Sequence, residues 1–511
     1  MASGWPITAT EMHEYDDIVI GAGMAGLTVG SLLAHAGRRV LLLEAHDTPG
    51  GYAHTFTMGR YRFCAQVHYI FGCSPGQPVY EVYDRLGLSE QVKFNRLDPE
   101  GFDHVVVGNE RVAIPNGLAK YRNQLIHRFP EAERALRRFF SVIIGMAEEI
   151  DALPDAPGLR DIVTAPIRFP KSIRYRTWTL QDLYDHVGMP PLLQAILAGQ
   201  SGDYLLPPDQ VSLGLHVALV ANYDRGAFYP VHHYSHMVEA LADTIRNGPG
   251  CDLLLNTEVA SIQVEGDRVR GVTTNDGTRY RARRCVSNVD PRMTMRMVDG
   301  PVDPKFREKV VYPYSTSTVT LYLGIRGLDL RDFGFGDYNV WHYPHADINA
   351  IYRRQLEHDD LNDPWLFLST PTLHSDQPGL APEGEQILEV ATSCSYEYFA
   401  ALKQRGHKVY SKEKVRVRDR ILDVLEERYI PGLRKHLAMK VAGTPLTNEH
   451  FCRAPRGNAY GSNLSADAIW PRVPHDTPFD NLFLVNASAG YPSVGGTMSA
   501  GLRLADRLLA S

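Results

Sequence analysis

Apolar residues fall into short runs and longer periodic stretches along the chain, and their order predicts the elements. Asp17-Ile18-Val19-Ile20 is a brief apolar strand leading straight into the glycine turn Gly21-Ala22-Gly23-Met24-Ala25-Gly26. Residues 25–36 are rich in small and apolar residues, the pattern of a helix packed closely on a sheet, and Gly37 is placed to end it. Residues 39–43 read as a second buried strand with Glu44 at its C-terminal end, completing a βαβ unit. Residues 1–14 carry no such pattern and predict a disordered leader.

Phe102 to Pro115 alternates as a hairpin turned at Gly108-Asn109. The stretch 118–220 is mostly helical in pattern, with breaks at Pro130, Pro154, Pro157 and Pro190-Pro191. Residues 253–255, then Val259, Ile262 and Val264, then Val269 and Val272 beyond the turn at residues 265–268, predict a β-meander. Residues 318–325, 365–368 and 387–392 predict strands of a second sheet. Ser411 is placed to cap a helix with Val415, Leu422, Leu425 and Tyr429 on one face, ending before Pro431-Gly432. Leu482 to Val485 is a last buried strand, followed by a glycine-rich bend and a helix from about Thr497.

Composition narrows the class. A chain of 511 residues exceeds one core, so two or more packing units are expected. Net charge is -6, with no long run of like charge, which argues against a nucleic-acid partner. The six cysteines are scattered without a CxxC, so they predict isolated thiols rather than disulfides or a metal site. The N-terminal residues lack a secretory pattern, and no apolar stretch approaches the ~18 residues of a spanning helix, so a cytoplasmic protein is expected. Aromatic and basic residues mix over 167–178, a composition suited to peripheral contact with an anionic membrane surface.

The glycine turn gains meaning from its setting. Gly21 allows the tight turn, Gly23 lets backbone approach a pyrophosphate, and Gly26 lets the helix sit close to the strand. The first helical N–H groups, around Met24 and Ala25, would meet the diphosphate at the positive end of the helix dipole. Glu44, followed by Ala45, stands where an acid accepts both ribose hydroxyls. Two features favour FAD over NAD. Gly50-Gly51 makes a second glycine turn shortly after Glu44, with Tyr52, His54 and Thr55 beside it, and Gly495-Gly496-Thr497 opens a helix whose positive end suits the reduced flavin. Val259 and Asn288 complete the expected cofactor contacts. The predicted fold is α/β: a discontinuous Rossmann-like FAD-binding domain (15–75, 250–295 and 445–511) with a mixed α+β substrate domain (76–249 and 296–444) that includes a helical cap.

Further segments carry a family likeness: Gly50-Gly51-Tyr52-Ala53-His54-Thr55-Phe56, Val67-His68-Tyr69-Ile70, Gly226-Ala227-Phe228-Tyr229-Pro230, Val286-Ser287-Asn288, Thr444-Pro445-Leu446-Thr447-Asn448 and residues 454–461. In this order they resemble the phytoene desaturase, carotenoid isomerase and retinol saturase group of flavoproteins, over nearly the whole length. The resemblance implies a lipophilic polyene or isoprenoid substrate and redox chemistry at a carbon–carbon bond. Three places depart from the group's pattern: Phe63-Cys64-Ala65-Gln66, Tyr229-Pro230-Val231-His232-His233, and Asn486-Ala487, where Asn486 and Ser488 would replace an aspartate near the ribityl phosphate.

Flavin exchanges hydride at N5, so the protein must position substrate and handle one proton. Candidates for that proton are His68, Tyr69, Tyr229, His232 and His233. Adjacent His232 and His233 point opposite ways in extended backbone, so at most one faces the flavin, at a place where relatives carry glycines. His54 is read as a backbone or phosphate ligand, and Cys64 as an inert thiol. Arg456 either binds a polar group or pairs with a carboxylate. Saturation, desaturation and flavin-dependent isomerisation all fit one architecture. An amine-oxidase-like enzyme and a non-catalytic flavin-binding protein are the other readings. No second GxGxxG is present for NAD(P)H, so the expected electron partner is a quinone, oxygen or an external reductase.

Overall fold

The computed structural model describes residues 14–152, 159–469 and 471–511, with backbone alone for 159–162. The predicted leader, except Glu14, and the breaks at Pro154 and Pro157 lie outside the described residues.

The first strand, β1 (Glu14–Ile20), runs parallel to β2 (Val40–Leu43) on one side and to the strand Arg279–Ser287 on the other. The helix between them, α1 (Met24–His35), is buried from Met24 to Ala34. A helix buried along nearly its whole length and strands buried at Ile18–Ile20 and Val40–Leu43 have one cause: the sheet is covered on both faces. Here α1 packs between the helices His233–Arg246 and Val494–Leu509. Ile18, Ile20, Leu41 and Leu43 face a separate core that includes Val259, Ile262 and Phe306. The meander is formed by Val259–Glu265, Arg268–Thr274 and Arg279–Ser287. Strand Leu482–Leu484 pairs with Arg279–Ser287 in parallel. The 250s strand (Asp252–Leu254) is not part of the meander: it extends the sheet in parallel beside β2. Residues distant in sequence thus converge on one sheet.

The second sheet runs in the order Leu437–Gly443, Ser317–Arg326, Glu385–Cys394, Leu366–Ser369, Asn339–Tyr343, Asp103–Val107, Glu110–Ile114. The hairpin expected at Gly108-Asn109 forms, and Asp103 pairs across to Asn339. Two helix starts differ from expectation. The helix His407–Arg428 begins after Gly406, so Ser411 lies inside it, and Val415 is 43% exposed while Val417, Ile421, Leu422, Val424 and Leu425 are buried. The last helix starts at Val494 because the Ser493 hydroxyl accepts from Gly496 N, a cap ahead of Thr497. No described helix is long and apolar enough to cross a membrane.

Candidate active site

A cavity with about 300 Å³ of space open to water lies where the two sheets meet. One wall is the dinucleotide turn. A Cβ on Gly26 would come within 2.2 Å of Gly21 O, and one on Gly23 within 2.4 Å of the Asn288 side chain. Both glycines are therefore required by close packing. The Asn288 amide, oriented to satisfy both neighbours, accepts from Gly23 N (3.0 Å) and donates to Val485 O (2.9 Å). Glu44 accepts from Ala22 N (2.6 Å) and His46 N (2.8 Å), which fixes its carboxylate beside the turn with lone pairs to spare for ribose hydroxyls. Gly23, Met24, Ala25, Gly50, Gly51 and Tyr52 line the cavity from one side, and Gly495 and Thr497 from the helix start opposite. Two helix N-termini thus converge on one space, each leaving N–H groups without internal partners. That donor set fits the diphosphate and the electron-rich edge of a flavin.

The other wall is aromatic. Tyr69, Tyr223, Trp341, Trp365, Phe367 and Tyr460 line it, with Leu205 and Leu219. Tyr69 stacks on Tyr223 at 4.6 Å between ring centres. The described lining contains neither lysine nor arginine.

Two acid clusters break this apolar surface. His68 lies 2.6 Å from Glu389 through Nδ1, and its ring sits 5.2 Å from Phe367. Burial raises the Glu389 carboxyl and His68 opposes that rise. Next to it, Tyr69 Oη lies 2.6 Å from Asp203 Oδ2 and 3.0 Å from Asp103 Oδ2. Asp103 also receives the side-chain amides of Gln200 (2.8 Å) and Asn339 (3.1 Å). Burial pushes Asp103 up to about 7. Asp203 is raised well above the usual carboxylate range, first by burial and then by the charge of Asp103.

Of the predicted proton-handling groups, the cavity gathers His68 and Tyr69. Tyr229, His232 and His233 stand outside its lining, a correction to their expected place beside the flavin. The reason is topological: strand Phe228–Pro230 pairs with Phe94–Arg96 and bridges Ile70, which puts it one layer behind the cavity wall. Tyr229 is fully buried with no partner for its phenol among the described residues. His233 is buried, bonds Thr55 Oγ1 at 3.1 Å, and is held down to about 3 by burial and then by Arg62. His232 is exposed, its ring 5.1 Å from His236. The backbone between them is not extended but turns into the helix, with His233 at φ 71, so the alternation expected of a strand does not apply.

The structure also redirects several cofactor candidates. Asn486 donates to Val289 O and accepts from Ser488 N and Ala489 N, while Ser488 Oγ accepts from Ser462 N. Both are occupied in holding the bend, so neither replaces the family's aspartate, and Ala487 between them faces the cavity. Val259 is buried in the core beneath the meander. Gly496 sits so close to Tyr491 O, 2.8 Å for an added Cβ, that its role is the tight turn into the helix. His54 bonds Gly51 O (2.6 Å) and Cys64 is a buried thiol pushed up by burial, both as expected. Arg456 pairs with Glu397, the carboxylate alternative of its two readings. Gln66, at one departure from the family pattern, bonds Thr318, Thr320 and Asn448 at the cavity edge.

Sequence reasoning missed Asp103, Asp203 and Glu389. Two of the three left a trace. Asp103 shares the strand face of buried Val105 and Val107, and Glu389 stands inside the apolar run Ile387 to Thr392. An acid on a core-facing strand position needs a partner or a proton, which marks it for attention.

A family model described as flavin-containing amine oxidoreductase matches residues 24–327. All-trans-retinol 13,14-reductase of Danio rerio is 25% identical over 96% of this chain and 85% of its own. Prolycopene isomerase 1, chloroplastic, of an Oncidium hybrid cultivar is 25% identical over 88% of this chain and 76% of its own. Among solved structures, cyclohexylamine oxidase from Brevibacterium oxydans IH-35A superimposes with a TM-score of 0.63 at 17% identity, covering 97% of this chain and 98% of that one.

Proposed function

Starting from a chain that belongs to the family of flavin-containing amine oxidoreductases, we propose that this FAD-dependent oxidoreductase acts on a carbon–carbon single or double bond of a neutral polyene or isoprenoid-like substrate. The observation that carries the reading is the cavity: helix N-termini on one side, and on the other an aromatic wall with neither lysine nor arginine among its described lining. An extended apolar molecule can lie there flat against the rings, and the one imidazole in that wall, His68, is already taken up by Glu389. The relatives named for retinol reduction and prolycopene isomerisation, alike over most of their length, support this substrate class.

When bound, FAD supplies two-electron chemistry, giving or taking a hydride equivalent at N5. The chain's own residues do the rest. Gly21, Gly23 and Gly26 admit the diphosphate, with Met24 and Ala25 at the donating helix end, and Glu44 beside Ala45 takes the ribose. Gly50, Gly51, Tyr52, Asn288, Gly495 and Thr497 enclose the remainder. His68, steadied by Glu389, stands in the aromatic wall where it can orient substrate and exclude water from the flavin side. In this reading segments 15–75, 250–295 and 445–511 hold the cofactor, and 76–249 with 296–444 hold the substrate.

The electron partner is a quinone, oxygen or a separate reductase. Exposed Val163, Ile167 and Ile173 beside exposed Arg168, Arg174 and Arg176 suit transient contact with an anionic bilayer, from which such a substrate would be drawn. Failure to co-sediment with anionic liposomes would remove that contact.

The test begins with the absorption spectrum of the purified protein and release of FAD on denaturation. The flavin is then reduced anaerobically and polyenes are added. Reoxidation with stoichiometric loss of a double bond supports the reading. Isomerised product without net redox favours an isomerase, and peroxide release on addition of amines favours an amine oxidase. A bound flavin that no donor reduces would leave a binding protein without catalysis.

A further inference from the structure

We propose that Asp103 and Asp203, bridged by Tyr69, hold one proton between them at neutral pH, and that Asp203 presents it to the substrate. The use of that proton rests on the oxidoreductase reading above; its presence rests on geometry alone. Tyr69 Oη contacts a carboxyl oxygen of each aspartate, at 2.6 and 3.0 Å, yet a phenol has one hydrogen to give. If both contacts are hydrogen bonds, one carboxyl donates back and is itself protonated. Asp103 is closed off completely, and its oxygens already receive Gln200 and Asn339. Asp203 is the member that lines the cavity.

Charge leads to the same result. The groups facing the pair are Tyr69, Tyr204, Tyr223, Tyr343 and Tyr460, each held neutral by burial. Among the described residues the hydrogen-bond partners of the two aspartates are Tyr69, Gln200 and Asn339, with no lysine, arginine or histidine paired to either. Two buried carboxylates without a cation are far costlier than one carboxylate and one acid. The upward displacement of both aspartates agrees with this.

The step balances simply. The electron pair of the substrate double bond takes the proton from Asp203 as the neighbouring carbon takes the hydride equivalent that reduced flavin supplies. Asp203 is left a carboxylate, and water entering the cavity returns its proton. Desaturation uses the same atoms in reverse, with Asp203 as base. Asp203 is thus a catalytic residue, while Asp103, acting through its charge, and Tyr69, acting as bridge, are positioning residues.

The test is infrared difference spectroscopy of the FAD-loaded protein without substrate, in H₂O and D₂O across pH. The wild type should show a protonated-carboxyl C=O band that shifts in D₂O and persists to mildly alkaline pH. In Asp203→Asn that alkaline band should be lost. In Asp103→Asn it should disappear at lower pH than in wild type, because the charge holding the proton is gone. Tyr69→Phe, a mild change that keeps the test open if an aspartate variant misfolds, should move the pH at which the band vanishes. A wild type without the band, or a band indifferent to all three substitutions, overturns the proposal. In single-turnover reoxidation by a polyene, Asp203→Asn should be slower by about 10²- to 10⁴-fold, the usual contribution of a general acid. If no polyene reoxidises even the wild type while the band behaves as described, the substrate reading fails and the shared proton stands.

Discussion

His68 and Tyr69 are neighbours in sequence, and each reaches a buried acid, but the two acids are accommodated in different ways. Glu389 is given a ring that can share its proton, at 2.6 Å. Asp103 and Asp203 are given a phenol, two amides and no cation. Burying a carboxyl is costly in either case. The first cluster meets the cost by pairing and the second by keeping a proton. The comparison teaches that a buried acid is not one kind of site: its partners decide whether it fixes a neighbour or stores a proton.

Removing one side of the paired cluster should have the largest effect. Glu389→Ala leaves His68 buried without its partner and opens a void, and should cost about 3 kcal/mol, within the range for broken buried pairs. Denaturant unfolding of the flavin-loaded protein would measure it; a loss under about 1 kcal/mol would mean that the pair contributes little to folding.

The second cluster should reveal itself through pH. A carboxyl held up to about 7 in the folded state, against an ordinary value of 3.8, keeps a proton that the unfolded chain releases. Its stabilising effect is complete below the unfolded value and fades as pH rises through the folded one. Half-buried His104 and buried His216 and His374, each held down to about 4, chiefly by burial, slope the opposite way. The informative quantity is therefore wild type minus Asp103→Asn. Between pH 4 and 7 that difference should fall by up to about 1.4 kcal/mol per pH unit. A flat difference would mean that folding does not raise Asp103, and would leave the proton assigned to Asp203 to the infrared test.

Two smaller effects sharpen the boundary of the site. Tyr229→Phe removes a buried hydroxyl that has no partner among the described residues, so stability should change by less than about 1 kcal/mol. Single-turnover reoxidation by a polyene should keep its rate; a large fall would bring Tyr229 back as a proton donor. His232→Ala, at an exposed position, should move stability by no more than about 0.5 kcal/mol and leave the flavin spectrum as it is.

Much of the cofactor side was legible because local chemistry dictates it. A strand, a glycine turn, a close-packed helix and an acid at the next strand end form within one stretch of chain, and the pattern names its own geometry. The second sheet was legible as strands but not as an order, because pairing such as Asp103 with Asn339 joins residues far apart in sequence. The same distance hid the acid clusters. Asp203 sits in a short helical turn with nothing local to mark it, and its meaning arises only when Tyr69 and Asp103 arrive from elsewhere. Tyr229 and His233 misled for the complementary reason: they resembled a flavin-proximal segment, but strand pairing at Phe94–Arg96 moved them back one layer.

The cofactor cavity is walled by Met24 at one end of the chain and Thr497 at the other. During translation, therefore, a half-made molecule has the phosphate turn but not the opposite wall. FAD can be gripped fully only after the last helix has been synthesised and docked on α1. Because a ligand stabilises only the state that binds it, flavin loading separates chains in which this helix is docked from chains in which it is not. The cofactor thus reports on whether that helix is in place: a chain cut short near Val494 lacks one wall of the cavity and should hold FAD weakly.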